Sequence, residues 1–291
     1  MALENAFTID VEDFYQVEAF SSTIDRKDWH SFESRVVANT DSILDQLDSH
    51  GITATFFVLG CVAQQHPEVV RNIAQRGHEI ASHGMSHKLI YRQEFDEFER
   101  ETRDSKALLE DLSQQEVLGY RAATYSITKK SLWALDVIAE TGFVYDSSIF
   151  PITHDRYGIP EADTVPGTIR TPGGATIVEF PISTVKTRFF NIPVAGGGYF
   201  RLFPYTLTRM GLRQINSRNQ EFMFYLHPWE VDPGQPVIPN IGITTRFRHY
   251  VNISKCRQRL NRLFEDFRFT TMRGVLENKG LIAGGNIVAP E

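Results

Sequence analysis

Gly77-His78-Glu79-Ile80-Ala81-Ser82-His83-Gly84-Met85-Ser86-His87 joins a strand pattern to a pair of metal-type side chains. Gly77 reads as a helix stop, because glycine takes the left-handed conformation that closes helices at no steric cost. His78 to Ser82 reads as a short strand. His83 and His87 follow, four residues apart. On one helical turn such residues share a face, with Cβ atoms roughly 5–6 Å apart. Two imidazoles at that spacing can hold one metal ion, through bonds of about 2.0–2.1 Å if it is zinc. The pair comes directly after a strand, and barrel enzymes carry their functional side chains at the C-terminal ends of strands. An H-x-x-x-H pair can also arise by chance among nine histidines, so the rest of the chain has to decide.

Outward from this stretch, strand and helix patterns alternate. Residues 6–9 form a short apolar run that ends in Asp10-Val11-Glu12-Asp13. Residues 36–50 place Val36, Val37, Ile43, Leu44 and Leu47 at helical spacing, with Gly51 as the stop. Residues 53–59 are β-branched and aromatic, as strands are. Pro67 suits the first turn of a helix running to Gly77, and residues 94–112 form a long charged helix. Residues 117–120 give a strand ending in Arg121. Thr128 is placed to cap a helix that runs through Ala139. Residues 143–145 give a strand ending in Asp146, and a loop with four prolines leads to a strand at 177–180. The Gly196–Gly198 stretch, through Arg201, reads as a plain turn or a substrate-lining loop. A helix at 205–217, a strand at 222–226 ending in His227, a helix at 253–267 and a strand at 269–272 complete the pattern.

Such alternation predicts an α/β fold, a distorted (β/α) barrel of about seven to eight parallel strands. Asp10, His83, Arg121, Asp146 and His227 each follow a predicted strand, so parallel strands would bring all five to one rim. The 291 residues read as a single catalytic domain, with about 240–291 as a C-terminal extension packed on the barrel. A net charge of −6 gives no reason to expect a nucleic-acid partner. Two cysteines far apart in sequence, Cys61 and Cys256, match neither a metal spacing nor a disulfide framework. No signal peptide and no membrane-spanning run is visible, which predicts a cytoplasmic location.

Five motifs in order resemble those of the NodB-type polysaccharide deacetylases, carbohydrate esterase family 4. Thr8-Ile9-Asp10-Val11-Glu12-Asp13 looks like the acidic first motif, His83-Gly84-Met85-Ser86-His87 like the metal-binding second, and Gly119-Tyr120-Arg121-Ala122-Ala123 like the third. Tyr145-Asp146-Ser147-Ser148 is similar to the fourth, and Leu226-His227-Pro228-Trp229-Glu230 to the last. The variant motifs look closest to an exosortase-linked exopolysaccharide subgroup that carries a C-terminal extension. The chain departs from the family pattern at Val11, where a second aspartate is usual, at Gly84, where a hydroxyl residue is usual, and at Ala123, where a proline is usual.

The resemblance implies removal of an N-acetyl group from an N-acetylated saccharide with one divalent metal ion, zinc foremost and cobalt or another ion as substitutes. His83 and His87 would be ligands, with Glu12 or Asp13 as the third and Glu12 preferred. Asp10 would be the base, held by Arg121, and His227 the acid, oriented by Asp146. A backbone N–H near Thr124 would add an oxyanion donor. Three alternatives stay open: a same-fold hydrolase of small cyclic amides, a saccharide-binding protein that has lost catalysis, and a non-haem iron oxygenase. An acid–base pair argues against the last, which needs none. His30, His78 and His249 read as structural. Arg246, Arg248, Lys255, Arg257, Arg259 and Arg262 lie in a stretch without an acid. They predict either a solvated helix face or peripheral contact with an anionic membrane or a phosphate-bearing carrier.

Overall fold

The computed structural model describes residues 3–288. In chain order its strands are β1 (Glu4–Val11), β2 (Thr55–Val58), β3 (Glu79–Ser82), β4 (Gly119–Tyr120), β5 (Tyr145–Asp146), β6 (Gly167–Arg170), β7 (Thr176–Glu179), the hairpin β8 (Thr184–Lys186) and β9 (Asn191–Pro193), β10 (Met223–Leu226), β11 (Arg268–Thr270) and a last hairpin, β12 (Ile282–Ala283) and β13 (Asn286–Ile287). The helices are α1 (Val36–His50), α2 (Gly60–Gln65), α3 (Pro67–Gln75), α4 (Phe95–Ser113), α5 (Ala134–Glu140), α6 (Gly197–Leu202), α7 (Tyr205–Asn216), α8 (Ile243–Tyr250), α9 (Ile253–Asp266) and α10 (Met272–Asn278). The main sheet runs β10-β1-β2-β3-β4-β5-β7-β6, with β11 also on β1. Every pairing in it is parallel except β6 with β7. The expected α/β architecture is therefore present, with eight parallel strands and one antiparallel edge among the nine. The free side of β10 meets the chain again at one bridge, Gly196 with Tyr225.

Alternation along β1 sets what faces inward. Phe7, Ile9 and Val11 join the apolar layer between sheet and helices. Ala6 joins the inner cluster with Phe57, Ala81, Tyr145 and Tyr225. Successive side chains of a strand point to opposite faces, so Thr8 and Asp10 share the inner face with Ala6. The C-terminal segment belongs to the same body: α9 buries Cys256, Leu260, Leu263 and Phe264, and Phe7 packs edge-on against Phe264 and Phe269 at 5.0 and 5.5 Å.

Some expectations are corrected. The proline-rich loop contains β6, which lies between Pro166 and Pro172 and is only half-buried on an edge. Such a strand needs neither an apolar run nor alternation, so the pattern did not show it. Thr128 does not cap α5. Its hydroxyl accepts from Lys130 within a separate turn, and the helix begins at Ala134. The glycine stretch near 197 is a short helix rather than a loop, and it buries Arg201. The basic face also divides: Arg259 turns inward to the carbonyls of Phe200, Arg201 and Phe203, while Arg246 and Arg248 are exposed. Among the described residues no helix is long and apolar enough to cross a membrane.

Candidate active site and metal centre

A cleft of about 310 Å³ opens at the C-terminal ends of the strands, lined by Asp10, Glu12, His83, His87, Tyr125, His227 and Trp229 among others. β1 delivers Asp10 on its inner face, and Glu12, two residues on, follows the same direction. β3 delivers His83, whose Nδ1 lies 2.8 Å from the carbonyl of Arg121. A carbonyl only accepts, so Nδ1 carries the proton and Nε2 keeps a free lone pair. His83 and His87 are not on a helical turn as the spacing suggested. They belong to a loop in which Gly84 has φ +75° and His87 φ +55°. The loop is pinned by Gly60 and Cys61, whose N–H groups donate to the carbonyls of Gly84 and Met85 at 2.8 Å each. Arg26 donates to the carbonyls of Ser86 and His87.

Glu12, His83 and His87 present ligand atoms that all lie within 4.8 Å of one another, and all three side chains are buried. Trp229 Nε1 donates to Glu12 Oε1 at 3.2 Å. The other oxygen, Oε2, is buried without a hydrogen-bond partner, although His87 Nε2 stands 2.8 Å away. A buried carboxylate oxygen with no donor, facing two imidazoles, suits a cation better than it suits a hydrogen-bond network. Burial alone would raise the Glu12 carboxyl, but the charges of His87 and His227 outweigh it and bring the value down to about 2. Burial pushes His83 down to about 4, which leaves the ring neutral as a ligand must be. Two nitrogens and one carboxylate oxygen fit zinc or another divalent first-row ion.

Asp13, the other candidate ligand, points elsewhere. One of its oxygens accepts from Phe14 N at 3.0 Å. The other accepts from Ser34 Oγ, Arg35 N and Val36 N at 2.8, 2.8 and 3.2 Å. It ties the turn after β1 to the start of α1 and is not in the set of ligand atoms that converge.

Arg121 is fully buried and holds Asp10 through Nη1–Oδ1 at 2.5 Å. Its guanidinium also donates to Thr8 Oγ1 and to Ser147, and it lies 3.9 Å over the ring of Phe57. The other Asp10 oxygen is 3.4 Å from the Tyr125 hydroxyl and 4.0 Å from His227 Nε2. Thr124, proposed as an oxyanion donor, stands in the cleft wall with φ +54°.

The expected pairing of Asp146 with His227 is not made. Asp146 is fully buried away from the cleft and accepts from Ser148 N and Oγ at 3.0 and 2.6 Å. Ser148 Oγ in turn receives the Ala122 N–H at 2.8 Å. Burial raises Asp146, and burial together with Asp146 raises Glu179 well above the usual range, an arrangement suited to sharing a proton. The pair therefore shapes the loops under Arg121 rather than the imidazole.

The partner of His227 is Glu230. Its Oε1 receives the His227 N–H at 3.1 Å and lies 2.8 Å from Nδ1. Burial disfavours a charged ring, but Glu12, Glu230 and Asp10 outweigh it and lift His227 to about 9. Burial would likewise raise Glu230, but Arg201 and His227 hold it at about 2. A pattern in the sequence could have pointed to Glu230: a proline directly after His227 and an acid three residues on suit the opening of a helical turn, and the Glu230 carboxylate does accept the backbone N–H of His227. Arg201 and Arg26 carried no comparable mark. Of the three histidines read as structural, His249 lines the cleft, stacked on Trp229 at 4.3 Å; burial and Arg201 lower it to about 3.

The glycine at 84 has a steric reason. A Cβ there would stand 3.1 Å from the Tyr120 hydroxyl, on a backbone at φ +75°. Gly84→Ser, which restores the family's usual hydroxyl, is expected to lower stability by about 1–2 kcal/mol. An unchanged or higher melting midpoint in denaturant would show that the loop accommodates the side chain.

Residues 21–145 match the model for Polysaccharide deacetylase, and residues 147–277 match a Domain of unknown function (DUF3473). A chitooligosaccharide deacetylase of Rhizobium leguminosarum bv. trifolii is 32% identical over 102 residues, 35% of this chain and 45% of the relative. A peptidoglycan-N-acetylglucosamine deacetylase of Bacillus cereus is 28% identical over 151 residues, 46% of this chain and 52% of the relative. The chain thus spans about half the length of these curated relatives. A crystal structure of a Mycobacterium smegmatis protein named for the same family shares the fold, with a TM-score of 0.60 at 20% identity, covering 98% of this chain and 93% of that one. Residues 21–145 therefore carry a polysaccharide deacetylase domain.

Proposed function

We propose that the chain is a metal-dependent hydrolase that removes the N-acetyl group from an N-acetylated amino sugar and releases acetate. One observation carries this reading. The Glu12, His83 and His87 set shares a cleft with a carboxylate, Asp10, and an imidazole, His227, of opposite roles. A divalent ion held by these three ligands, zinc on the chemistry of the donor set, supplies Lewis acidity and a water acidified towards a pKa of about 7.

Asp10 takes the proton that the attacking water loses as its oxygen bonds to the acetyl carbon. Arg121 fixes Asp10 from below, so the carboxylate needs no reorganisation when the proton arrives. His227 Nε2, 4.0 Å from Asp10 Oδ2, delivers a proton to the nitrogen as the C–N bond breaks and nitrogen keeps the electron pair. The products are acetate and a free amine, and exchange with solvent resets both proton-carrying groups. Trp229 closes one wall of the cleft while its N–H directs Glu12.

The relatives are named for chitooligosaccharides and peptidoglycan N-acetylglucosamine, which makes oligomers of N-acetylglucosamine the first substrates to assay. The match over residues 147–277 is compatible with the exopolysaccharide-linked subgroup. Metal-loaded protein is expected to release acetate from such oligomers and to leave cyclic ureides closed. Ring opening of a cyclic ureide without acetate release would move the assignment to the cyclic-amide hydrolases of the same fold.

A further inference from the structure

Arg201 is the largest buried cation outside the Asp10 pair, and it joins the C-terminal segment to the reaction centre. It sits on α6, 2% exposed, with Nε 2.5 Å from Glu230 Oε2. Its Nη1 donates to three carbonyls at the end of α8, those of Arg248, His249 and Val251. The last carbonyls of a helix lack intrahelical partners and carry partial negative charge, so a guanidinium is well matched to them. The α6 backbone is held in turn: Asn252 Nδ2 and Arg259 Nη1 both donate to the Arg201 carbonyl at 2.9 Å. The guanidinium also lies 5.1 Å over the Trp229 ring, which stacks on His227 at 5.2 Å.

From these contacts we propose that Arg201 is a positioning residue for the general acid. Clamped by the end of α8, it fixes Glu230, and Glu230 fixes the tautomer and direction of the His227 ring. The segment around α8 and α9 then has a chemical purpose, the assembly of the acid side of the cleft, in the place where Asp146 was expected to act. With Oε2 committed to Arg201, Oε1 is the oxygen left for Nδ1, and a carboxylate there can only accept. Nδ1 therefore carries a proton, and Nε2 faces the cleft towards Asp10 and Glu12. The substitution Glu230→Gln would invert this. The new side-chain N–H₂ must turn away from the Arg201 donors and so towards Nδ1.

The proposal rests on His227 acting as the acid in the proposed function. Its test uses zinc-loaded full-length protein and two substrates. An N-acetylglucosamine oligomer needs its leaving amine protonated, whereas p-nitrophenyl acetate has a leaving group stable as the anion. Glu230→Gln and Arg201→Lys should each lower kcat on the oligomer, on the order of 10²-fold, with KM and aryl-ester hydrolysis little changed. Glu230→Asp should recover part of the loss. Equal losses on amide and ester, or no loss on either, would overturn the positioning role. NMR of the His227 ring gives a readout independent of turnover: a slowly exchanging Nδ1 proton in the parent protein, lost in Glu230→Gln and Arg201→Lys. Persistence of that proton in both variants also overturns the proposal. Failure of the parent protein to release acetate from any N-acetyl sugar counts instead against the proposed function, and the NMR comparison still decides the role of Arg201.

Discussion

Asp10→Asn is expected to keep its metal and lose on the order of 10²–10⁴-fold in kcat for acetate release, the range typical of removing a general base. The expectation follows from the division of labour within one strand end. Asp10 is not in the ligand cluster, which consists of Glu12, His83 and His87. One Asp10 oxygen is committed to Arg121 at 2.5 Å, and the other faces Tyr125 and the cleft. Asparagine keeps the size and can still accept from the guanidinium, but it cannot take a proton from water. The variant has a structural cost, because Arg121 is fully buried and loses its charged partner. Depriving a buried ion of its counter-charge costs about 3–5 kcal/mol. The remaining donations to Thr8 and Ser147 and the stacking on Phe57 soften that loss. Metal content, a denaturant melt and kcat measured on one preparation separate the effects. A large loss of bound metal would move Asp10 into the ligand set.

The second large effect separates Glu12 from Asp13, two carboxylates that are neighbours in sequence and differ in everything else. Glu12→Gln is expected to release the metal and abolish turnover, since an uncharged amide replaces the only carboxylate in the ligand set. Asp13→Asn is expected to keep metal and turnover. It should lose about 0.5–2 kcal/mol of stability, the usual cost of weakening a helix cap. The capping role is visible in its four accepted hydrogen bonds, from Phe14, Ser34, Arg35 and Val36. Metal analysis after dialysis reads the first effect, and a denaturant melt reads the second. Retention of metal by Glu12→Gln with loss from Asp13→Asn would reverse the assignment.

Strand parity explains how the two neighbouring acids of the first motif come to differ. β1 continues to Val11, so residues 6, 8 and 10 face inward and 7, 9 and 11 outward, and Glu12 continues the inner series while Asp13 does not. Residue types at strand ends likewise led to His83, Arg121 and His227, because a parallel sheet brings such ends together wherever they lie in sequence. The geometry between His83 and His87 was not legible. Their approach depends on positive φ at Gly84 and His87 and on Arg26 from another part of the chain, and a spacing rule for helices contains none of that. The orientation of His227 was hidden for a related reason. A carboxylate three residues away along the chain holds the ring, while Asp146, on β5 with four strands between it and β10, accepts from Ser148 at both oxygens. Arg201 lay in a glycine-rich stretch with the composition of a loop. Only the three-dimensional packing of α6 against α8 and α9 makes its charge a buried, partnered one.

The most direct test of the metal centre as an N-deacetylase site is acetate release from an N-acetylglucosamine oligomer by one protein sample, before chelation, after it, and after adding back zinc or cobalt. The arrangement of Glu12, His83 and His87 predicts release that disappears on chelation and returns with the ion. Release that persists in thoroughly chelated protein, or no release from protein carrying a full equivalent of metal, would contradict it.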